Sequence, residues 1–478
     1  MLGIILAAGM GTRMKSEKPK VMHKLLNHPL LEWVIDSFKD LMKEEQCDKI
    51  AVVIGEKMPE VEDFLQEWGT RNDKILETFY QKERLGTGHA VKCALPLLEK
   101  EDADEPVFIL CGDVPLIKTE TLKRMEKEFL KEKADGIVLT VNMDDPSGYG
   151  RIIKKADGMI SEIVEHKDAD AAQLKIKEIN SGMYMIKSKE LVESLNGLNN
   201  DNAQNEYYLT DIVSLMNSRG KKVISVVTDD HYEVSGINNR VQLSQIEREA
   251  RRRINERLMM NGVTITDPDN TYIDPACSIG RDSIIEPMTI IRGRTIIGIN
   301  NTIGPMTQIE DCMIGNDNII ERSHLSGTEI KDNVKVGPFA RLRENTILNN
   351  GVKIGDFVET KKTVIGERSK AQHLSYLGDT EIGQDVNVGA GTITCNYDGF
   401  NKHKTFIDDK AFIGSNSSLV APVKIGKDVI IGAGSVIVKD VEDDDLSIAR
   451  GRQVNFEHRG KELKNRLKKE RLKGEGEI

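Results

Sequence analysis

The sequence predicts an α/β domain followed by an all-β domain: a Rossmann-like sheet, a connecting helix, and a parallel β-helix of hexapeptide repeats. Three observations lead there. Short apolar runs alternate with helical patterns as far as about Thr228, one long amphipathic stripe follows, and from about Thr264 aliphatic-glycine pairs recur, several of them six or three times six residues apart. At 478 residues the chain exceeds one ordinary core and suits two large domains. The boundaries drawn are 1–228 for the first domain, 229–262 for a linker with a long helix, 263–452 for the β-helix, and 453–478 for a basic tail.

In the first domain Ile4 to Leu6, Ala51 to Ile54, Val107 to Leu110 and Ile137 to Val141 are strand-like, while Leu30, Val34, Phe38 and Leu41 fall on one face of a helix. Such alternation implies a mainly parallel sheet covered on both sides, with ligands gathered beyond the carboxyl ends of the strands. Between Asn239 and Met260, the residues Leu243, Ile246, Ala250, Ile254 and Leu258 mark one stripe of the connecting helix.

The β-helix rests on register. Among Ile279-Gly280, Ile297-Gly298, Ile303-Gly304, Val336-Gly337, Ile354-Gly355, Ile382-Gly383, Val388-Gly389, Ile425-Gly426 and Ile431-Gly432, the steps 297 to 303, 382 to 388 and 425 to 431 are six residues, and 279 to 297 and 336 to 354 are three times six. Each six-residue strand and turn forms one side of a triangular coil, its aliphatic residue pointing inward. The glycine beside it is expected to serve a turn at positive φ. A loose glycine-rich β domain does not explain a register that returns over so long a stretch. Gly391 to Thr405 interrupts the period and is expected to be a loop. Lys461 to Lys473 reads as a basic, helix-like, solvated tail.

The formal charge of −10 argues against nucleic acid as the main partner. Six cysteines are scattered without C-x-x-C pairs or zinc spacing and read as reduced thiols. No stretch is apolar enough to span a bilayer and the start carries no signal-like region, so the expected address is the cytoplasm.

Leu6-Ala7-Ala8-Gly9-Met10-Gly11-Thr12-Arg13-Met14 follows the first strand directly, with Lys20 shortly after. Small residues let backbone N–H groups approach phosphate oxygens, and Arg13 and Lys20 add charge where a triphosphate would lie. Met14 stands where a dinucleotide fingerprint needs a third glycine, and no Gly-Lys-Ser/Thr of a Walker loop is present. Asp113 lies two residues past the Val107 to Leu110 run, where a carboxylate can share a hard cation with phosphates.

L-A-A-G-x-G-T-R-M followed by Pro19-Lys20 resembles the signature of sugar-1-phosphate nucleotidyltransferases. Gln81 with Leu85-Gly86-Thr87-Gly88, Gly112-Asp113-Val114-Pro115-Leu116, Gly148-Tyr149-Gly150-Arg151, Val164-Glu165-His166-Lys167, Asn180-Ser181-Gly182 and Gly236-Ile237-Asn238-Asn239 are similar, in order, to the uridylyltransferase branch. The resemblance implies that Leu6, Ala7, Ala8, Gly9 and Lys20 bind nucleotide, that Gln81, Gly86 and Thr87 hold uracil, that Gly150, Glu165 and Asn180 hold the sugar, and that Asn238 belongs to the same nucleotide- and sugar-binding set. Asp113 and Asn238 would hold Mg2+, with Arg13 and Lys20 catalytic. Cys111 stands where some relatives carry an aromatic residue. No side-chain nucleophile is needed, because the sugar phosphate oxygen is already anionic and attacks the α-phosphorus in line.

In the second domain His373 lies in a segment too polar to be coil wall alone, and Arg343, Lys361 and Tyr376 recur on successive coils. With Asn387, Ala390, Cys395-Asn396-Tyr397-Asp398-Gly399, Ser415, Ala433 and Arg450, this half resembles the acetyltransferase part of the bifunctional bacterial enzymes that acetylate glucosamine 1-phosphate and then uridylylate the product. The likeness covers nearly the whole chain, up to about Arg452. It implies a left-handed β-helix that stacks as a homotrimer, with His373 as general base in acetyl transfer. Arg343, Lys361, Tyr376 and Asn387 would bind the amino-sugar phosphate, and Ala390, Asn396, Tyr397, Ser415, Ala433 and Arg450 acetyl-CoA. Ser415 is also a candidate for polarising the thioester oxygen. An amine must lose a proton as it attacks a thioester, and imidazole titrates near neutrality. The implied substrates are UTP, acetyl-CoA, glucosamine 1-phosphate and N-acetylglucosamine 1-phosphate, the product being UDP-N-acetylglucosamine for cell-envelope precursors. The alternative is a sugar-1-phosphate nucleotidyltransferase whose β-helix is purely regulatory or structural.

Overall fold

The computed structural model describes residues 1–44, 47, 49–74 and 76–474. Two compact units divide it, Met1–Glu256 and Arg257–Ile478. The segment after Thr228 therefore groups with the first unit, and local charge explains why. Asp230 accepts from Lys118 at 2.7 Å and from Arg253 of the long helix at 2.8 Å, while Arg253 also reaches the Leu116 carbonyl at 3.1 Å.

The first unit is built on a sheet running, across its width, Val223–Thr228, Gly136–Asn142, Glu178–Lys187, Pro106–Cys111, Leu2–Ala7, Lys49–Gly55 and Leu76–Gln81. Only Glu178–Lys187 runs antiparallel to its neighbours in this path. Arg151–Lys154 and Ile160–Val164 extend it as an antiparallel pair. Residues on alternate sides of the central strands supply two cores, one with Ile5, Val52, Phe108 and Leu110, the other with Leu2, Ile4, Val53 and Ile109. The half-exposed Leu76–Gln81 and the antiparallel Glu178–Lys187 have no clean apolar run and escape periodicity. Leu30, Val34, Phe38 and Leu41 are all fully buried, but Leu30 and Val34 lie on one short helix, Leu30–Asp36, Leu41 on a second, Lys39–Lys43, and Phe38 in the turn between them. At the break the Ser37 hydroxyl bonds back to the Val34 carbonyl at 2.7 Å, competing with the helix.

The long helix spans Arg240–Met260 and buries Ile246, Ala250, Ile254 and Leu258. Beyond it, two- to seven-residue strands stack in parallel, each pairing with the equivalent strand one coil on. Ile285, Ile303, Ile320, Val336, Ile354, Ala371, Val388, Ile413 and Ile431 stand in one such column and all point inward. Ile285 to Ile303 keeps the three-hexapeptide step, whereas Ile303 to Ile320 falls one residue short, so a strict period sees only part of the coil. Hydrogen-bonded Asn301 and Asn318 sit buried within it, each carbonyl oxygen accepting from the backbone of the next coil.

Two expectations need correction. Most repeat glycines do not have positive φ: Gly304 and Gly337 do, but Gly280, Gly298, Gly355, Gly383, Gly389, Gly426 and Gly432 do not. They are glycine because the next coil lies against them, a Cβ on Gly355 falling 2.0 Å from the Gln372 carbonyl oxygen. The loop at Gly391 to Thr405 is also shorter than read. Ile393–Cys395 stays in the coil, paired with Ser418 to Val420, and only the residues between Cys395 and Thr405 project. The tail carries a helix at Arg459–Gly474, and residues 475–478 lie outside the described residues.

Candidate active sites

In the first unit the loop after the opening strand turns on Gly11, which has φ +68° and whose missing Cβ leaves room for the Lys20 side chain 2.6 Å away. Lys20 is thereby brought across the carboxyl ends of the strands. Its ammonium lies 2.5 Å from Asp113 Oδ2 and 3.2 Å from Asn238 Oδ1, and Arg13 donates to the same Asn238 oxygen at 2.9 Å. The Asp113 carbonyl accepts from the Ile237 amide at 3.0 Å, which fixes Asn238 beside Asp113. Four residues scattered over most of the unit thus converge on one point. Two oxygens aimed at a single cationic position suit a hard divalent ion completed by phosphate and water. Among the described residues no group of three or more His, Cys, Asp or Glu stands together as a metal site.

Next to this point a cavity of about 380 Å³ is lined by Leu6, Ala7, Ala8, Gly9, Lys20, Gln81, Gly86, Thr87 and Asp113, all predicted, together with Arg84, Cys111 and Glu206 among others. Gln81 donates to the Gly86 carbonyl at 3.0 Å, and the Thr87 hydroxyl accepts from the Leu209 amide at 3.2 Å. Gly86 has φ +107°, and a Cβ there would meet the Tyr207 carbonyl at 2.6 Å. Arg84 and Glu206 were missed by sequence reasoning; Arg84 lies inside the Gln81 to Gly86 motif, but Glu206 arrives only through the fold. The Cys111 thiol is pushed up to about 12, by burial first and then by the Asp113 charge, and is therefore inert.

Gly150, Glu165 and Asn180 are not in the lining of this cavity but meet one another. A Cβ on Gly150 would lie 3.5 Å from Glu165 Oε1 and 3.6 Å from Asn180 Cβ. Asn180 donates to the Tyr184 hydroxyl at 2.9 Å, and Glu165 accepts from Thr210 at 3.3 Å. Burial raises the Glu165 carboxyl above its ordinary value; the Thr210 bond opposes this, and Asp168 and Asp211 reinforce it.

In the β-helix, His373 is exposed at a coil edge, and its Nδ1 lies 2.9 Å from Asp356 Oδ1, the residue directly beneath it in register. A carboxylate accepts only, so Nδ1 is the nitrogen that donates to Asp356, and in the neutral ring the lone pair lies on Nε2. Asp356 was missed, because it stands one coil, 17 residues, before His373. Continuing the register from Lys370, Asn387, Phe412 and Ile430 by three residues sets His373, Ala390, Ser415 and Ala433 in one column along that edge. Backbone bonds Asn416 N to Ala390 O at 2.7 Å and Gly434 N to Ser415 O at 2.8 Å tie the column together. Arg450 reaches its end, donating to the Ala433 carbonyl at 2.5 Å.

On the adjoining face Arg343 donates to Glu359 at 3.0 Å, and Lys361 pairs in register with Gly378. Gly378 leaves space for the Tyr376 ring to lie across it, with Asn396 Nδ2 alongside. Asn396 donates to Asp379 at 2.6 Å. Tyr397 instead stands in the projecting loop, its hydroxyl on the Gly399 carbonyl at 2.5 Å. That loop is held by Asp398, which accepts from the Phe400 and Asn401 amides and from His403; these bonds, the Asn401 amide first, keep its carboxyl far below the usual range.

Fold and sites together define a transferase of two parts, a nucleotidyltransferase sheet and a hexapeptide β-helix. Residues 3–208 match the MobA-like NTP transferase domain, and residues 404–439 match the bacterial transferase hexapeptide repeat. The chain is 51% identical, over 95% of its own length and 96% of the relative's, to a bifunctional protein GlmU of Thermosipho africanus. It is 50% identical to those of Thermosipho melanesiensis, over 96% of this chain and 97% of the relative, and of Fervidobacterium nodosum, over 97% and 98%. The chain belongs to the GlmU family of bifunctional proteins.

Proposed function

We propose that the protein makes UDP-N-acetylglucosamine in two transfers, acetylating glucosamine 1-phosphate from acetyl-CoA and then joining the product to UMP from UTP with release of pyrophosphate. The observation that carries the reading is the pairing, in one chain, of the Lys20–Asp113–Asn238 cluster with the His373–Asp356 pair. In the second half, His373 Nε2 takes the proton lost by the sugar amine as nitrogen attacks the thioester, with Asp356 holding the ring and compensating its charge. Arg343 and Lys361 neutralise the sugar phosphate, and the column Ala390, Ser415 and Ala433 carries the acyl donor. In the first half, Arg13 and Lys20 align and neutralise the triphosphate, while Gly150, Glu165 and Asn180 seat the acetylated sugar. A magnesium ion held by the Asp113 and Asn238 oxygens, when bound, supplies the remaining neutralisation between phosphates. A β-helix that is purely regulatory or structural is disfavoured, because it leaves the His373–Asp356 pair without a task.

The test is to incubate the purified protein with glucosamine 1-phosphate, acetyl-CoA, UTP and magnesium and to identify products by mass. UDP-N-acetylglucosamine is expected; UMP transfer without acetylation would leave the alternative standing.

We also read the protein as a homotrimer whose acetyltransferase sites form where subunits meet. Phe339, Phe357 and Leu374 stand exposed on successive coils at one edge, the two phenyl rings stacked at 5.6 Å. Phe400 at the tip of the loop is 92% exposed, as suits a residue that inserts into a neighbour. Light scattering is expected to give three times the chain mass at assay concentration, and an active monomer refutes it. A cytoplasmic address fits the six free cysteines, and among the described residues no helix is long and apolar enough to cross a membrane.

A further inference from the structure

Arg151 is a fully buried cation that, among the described residues, makes no ion pair with a carboxylate, the charge of Asp145 reaching it only through space. Its side chain is 1% exposed, Nη1 donates to the Tyr149 carbonyl, Nη2 approaches His166 Nδ1 at 3.3 Å, and Nε has no partner. Among the described residues no ion pair joins it to Asp or Glu. Desolvating a guanidinium against neutral acceptors costs stability, and replacing such a group by an apolar side chain is often neutral or favourable. A contribution to stability therefore does not account for arginine here.

Its place in the sheet supplies another account. Arg151 stands opposite Val164 on one side and Ile179 on the other. Because side chains alternate across a strand, Arg151, Val164 and Ile179 share one face of this three-strand patch. Gly150, Glu165 and Asn180, each one residue away, share the other, where they meet. The Tyr149 carbonyl belongs to the segment that carries Gly150, and His166 to the segment that carries Glu165. On the reverse face one guanidinium thus ties together the two segments that present the predicted sugar contacts on the front.

We infer that Arg151 is a positioning residue for the N-acetylglucosamine 1-phosphate pocket, clasping the Tyr149 carbonyl and the His166 imidazole so that Gly150 and Glu165 keep their spacing around the sugar. The inference rests on the assignment of Gly150, Glu165 and Asn180 to the sugar. Because the clasp lies on the face opposite Gly150, Glu165 and Asn180, its loss is expected to act first on the sugar. In the tautomer with its ring proton on Nε2, the His166 Nδ1 lone pair accepts from the guanidinium, and Asp145 is a charged group whose field reaches both partners.

The test compares Arg151→Met, His166→Leu, His166→Gln and Asn180→Ala in the full-length protein, with KM measured separately for N-acetylglucosamine 1-phosphate and for UTP. Arg151→Met and His166→Leu are expected to raise the sugar KM by roughly tenfold or more while leaving the UTP KM within about twofold. His166→Gln, whose amide oxygen can accept from the guanidinium, is expected to restore most of the sugar affinity lost in His166→Leu. A UTP KM kept within about twofold on the same preparations reports that the unit Met1–Glu256 remains folded, since acetyl transfer belongs to the other unit. An unchanged sugar KM in Arg151→Met, or equal losses for both substrates, overturns the clasp; should Arg151→Met not fold, the His166 pair decides in the same way. Asn180→Ala separates the two claims: if it leaves the sugar KM unchanged the pocket assignment itself is wrong, whereas an effect there with silent clasp variants sinks only the clasp.

Discussion

His373→Ala is expected to slow acetyl transfer by about 10² to 10⁴, or roughly 3 to 5 kcal/mol of barrier, while UMP transfer to supplied N-acetylglucosamine 1-phosphate stays near normal. The separation follows from the chain's organisation, since His373 belongs to the unit Arg257–Ile478 and the Lys20–Asp113–Asn238 cluster to Met1–Glu256. Asp356→Ala is expected to show the same selectivity with a smaller loss, about 10- to 100-fold, as for other carboxylates that orient a working imidazole. Its His373 keeps its ring but loses the bond at Nδ1 that fixes which nitrogen is free. Thiol release from acetyl-CoA and pyrophosphate release from UTP, assayed on one preparation, check both variants. Full thiol release in His373→Ala would make the histidine structural; parallel loss of both activities would point to damage in folding or assembly.

Asp113→Asn is expected to cut UMP transfer by about 10² to 10³, the range for removing one preorganised charge contact from a transition state. Two effects add: the oxygen proposed to hold the divalent ion loses its charge, and the Lys20 ammonium loses the carboxylate now 2.5 Å away that fixes its place. Excess chelator is expected to stop UMP transfer in the unaltered protein, and acetyl transfer should survive both treatments. Undiminished pyrophosphate release in chelator would remove the metal from the mechanism.

What the sequence could not carry is set by how far apart contacting residues lie. Lys20, Asp113 and Asn238 each stood in a local motif, so their chemistry was readable. That Lys20 lies between the two oxygens depends on a parallel sheet that returns the chain to the same edge. Asp356 carried no signal of its own in the chain, because a ladder neighbour is one coil away and coils here vary in length around three hexapeptides. Glu206 entered the cavity only because the segment at Tyr207 packs on Gly86, a contact made by backbone atoms that leave no side-chain pattern.

Periodicity by itself determined the two textures, the connecting helix and the inward aliphatic column, since these depend on spacing along the chain and on burial that any apolar side chain satisfies. It also led to the wrong reason for the repeat glycines. Composition shows that a side chain is missing, but not whether φ or a neighbouring strand requires it, and at Gly355 the adjacent coil 2.0 Å from a would-be Cβ decides. Tertiary structure alone decided the partners: which carboxylate orients His373, which oxygens face Lys20, and why Arg151 is buried beside a carbonyl and an imidazole. Those pairings are fixed by strand register across sheets, and register is the outcome of packing a whole domain rather than a property of any one segment.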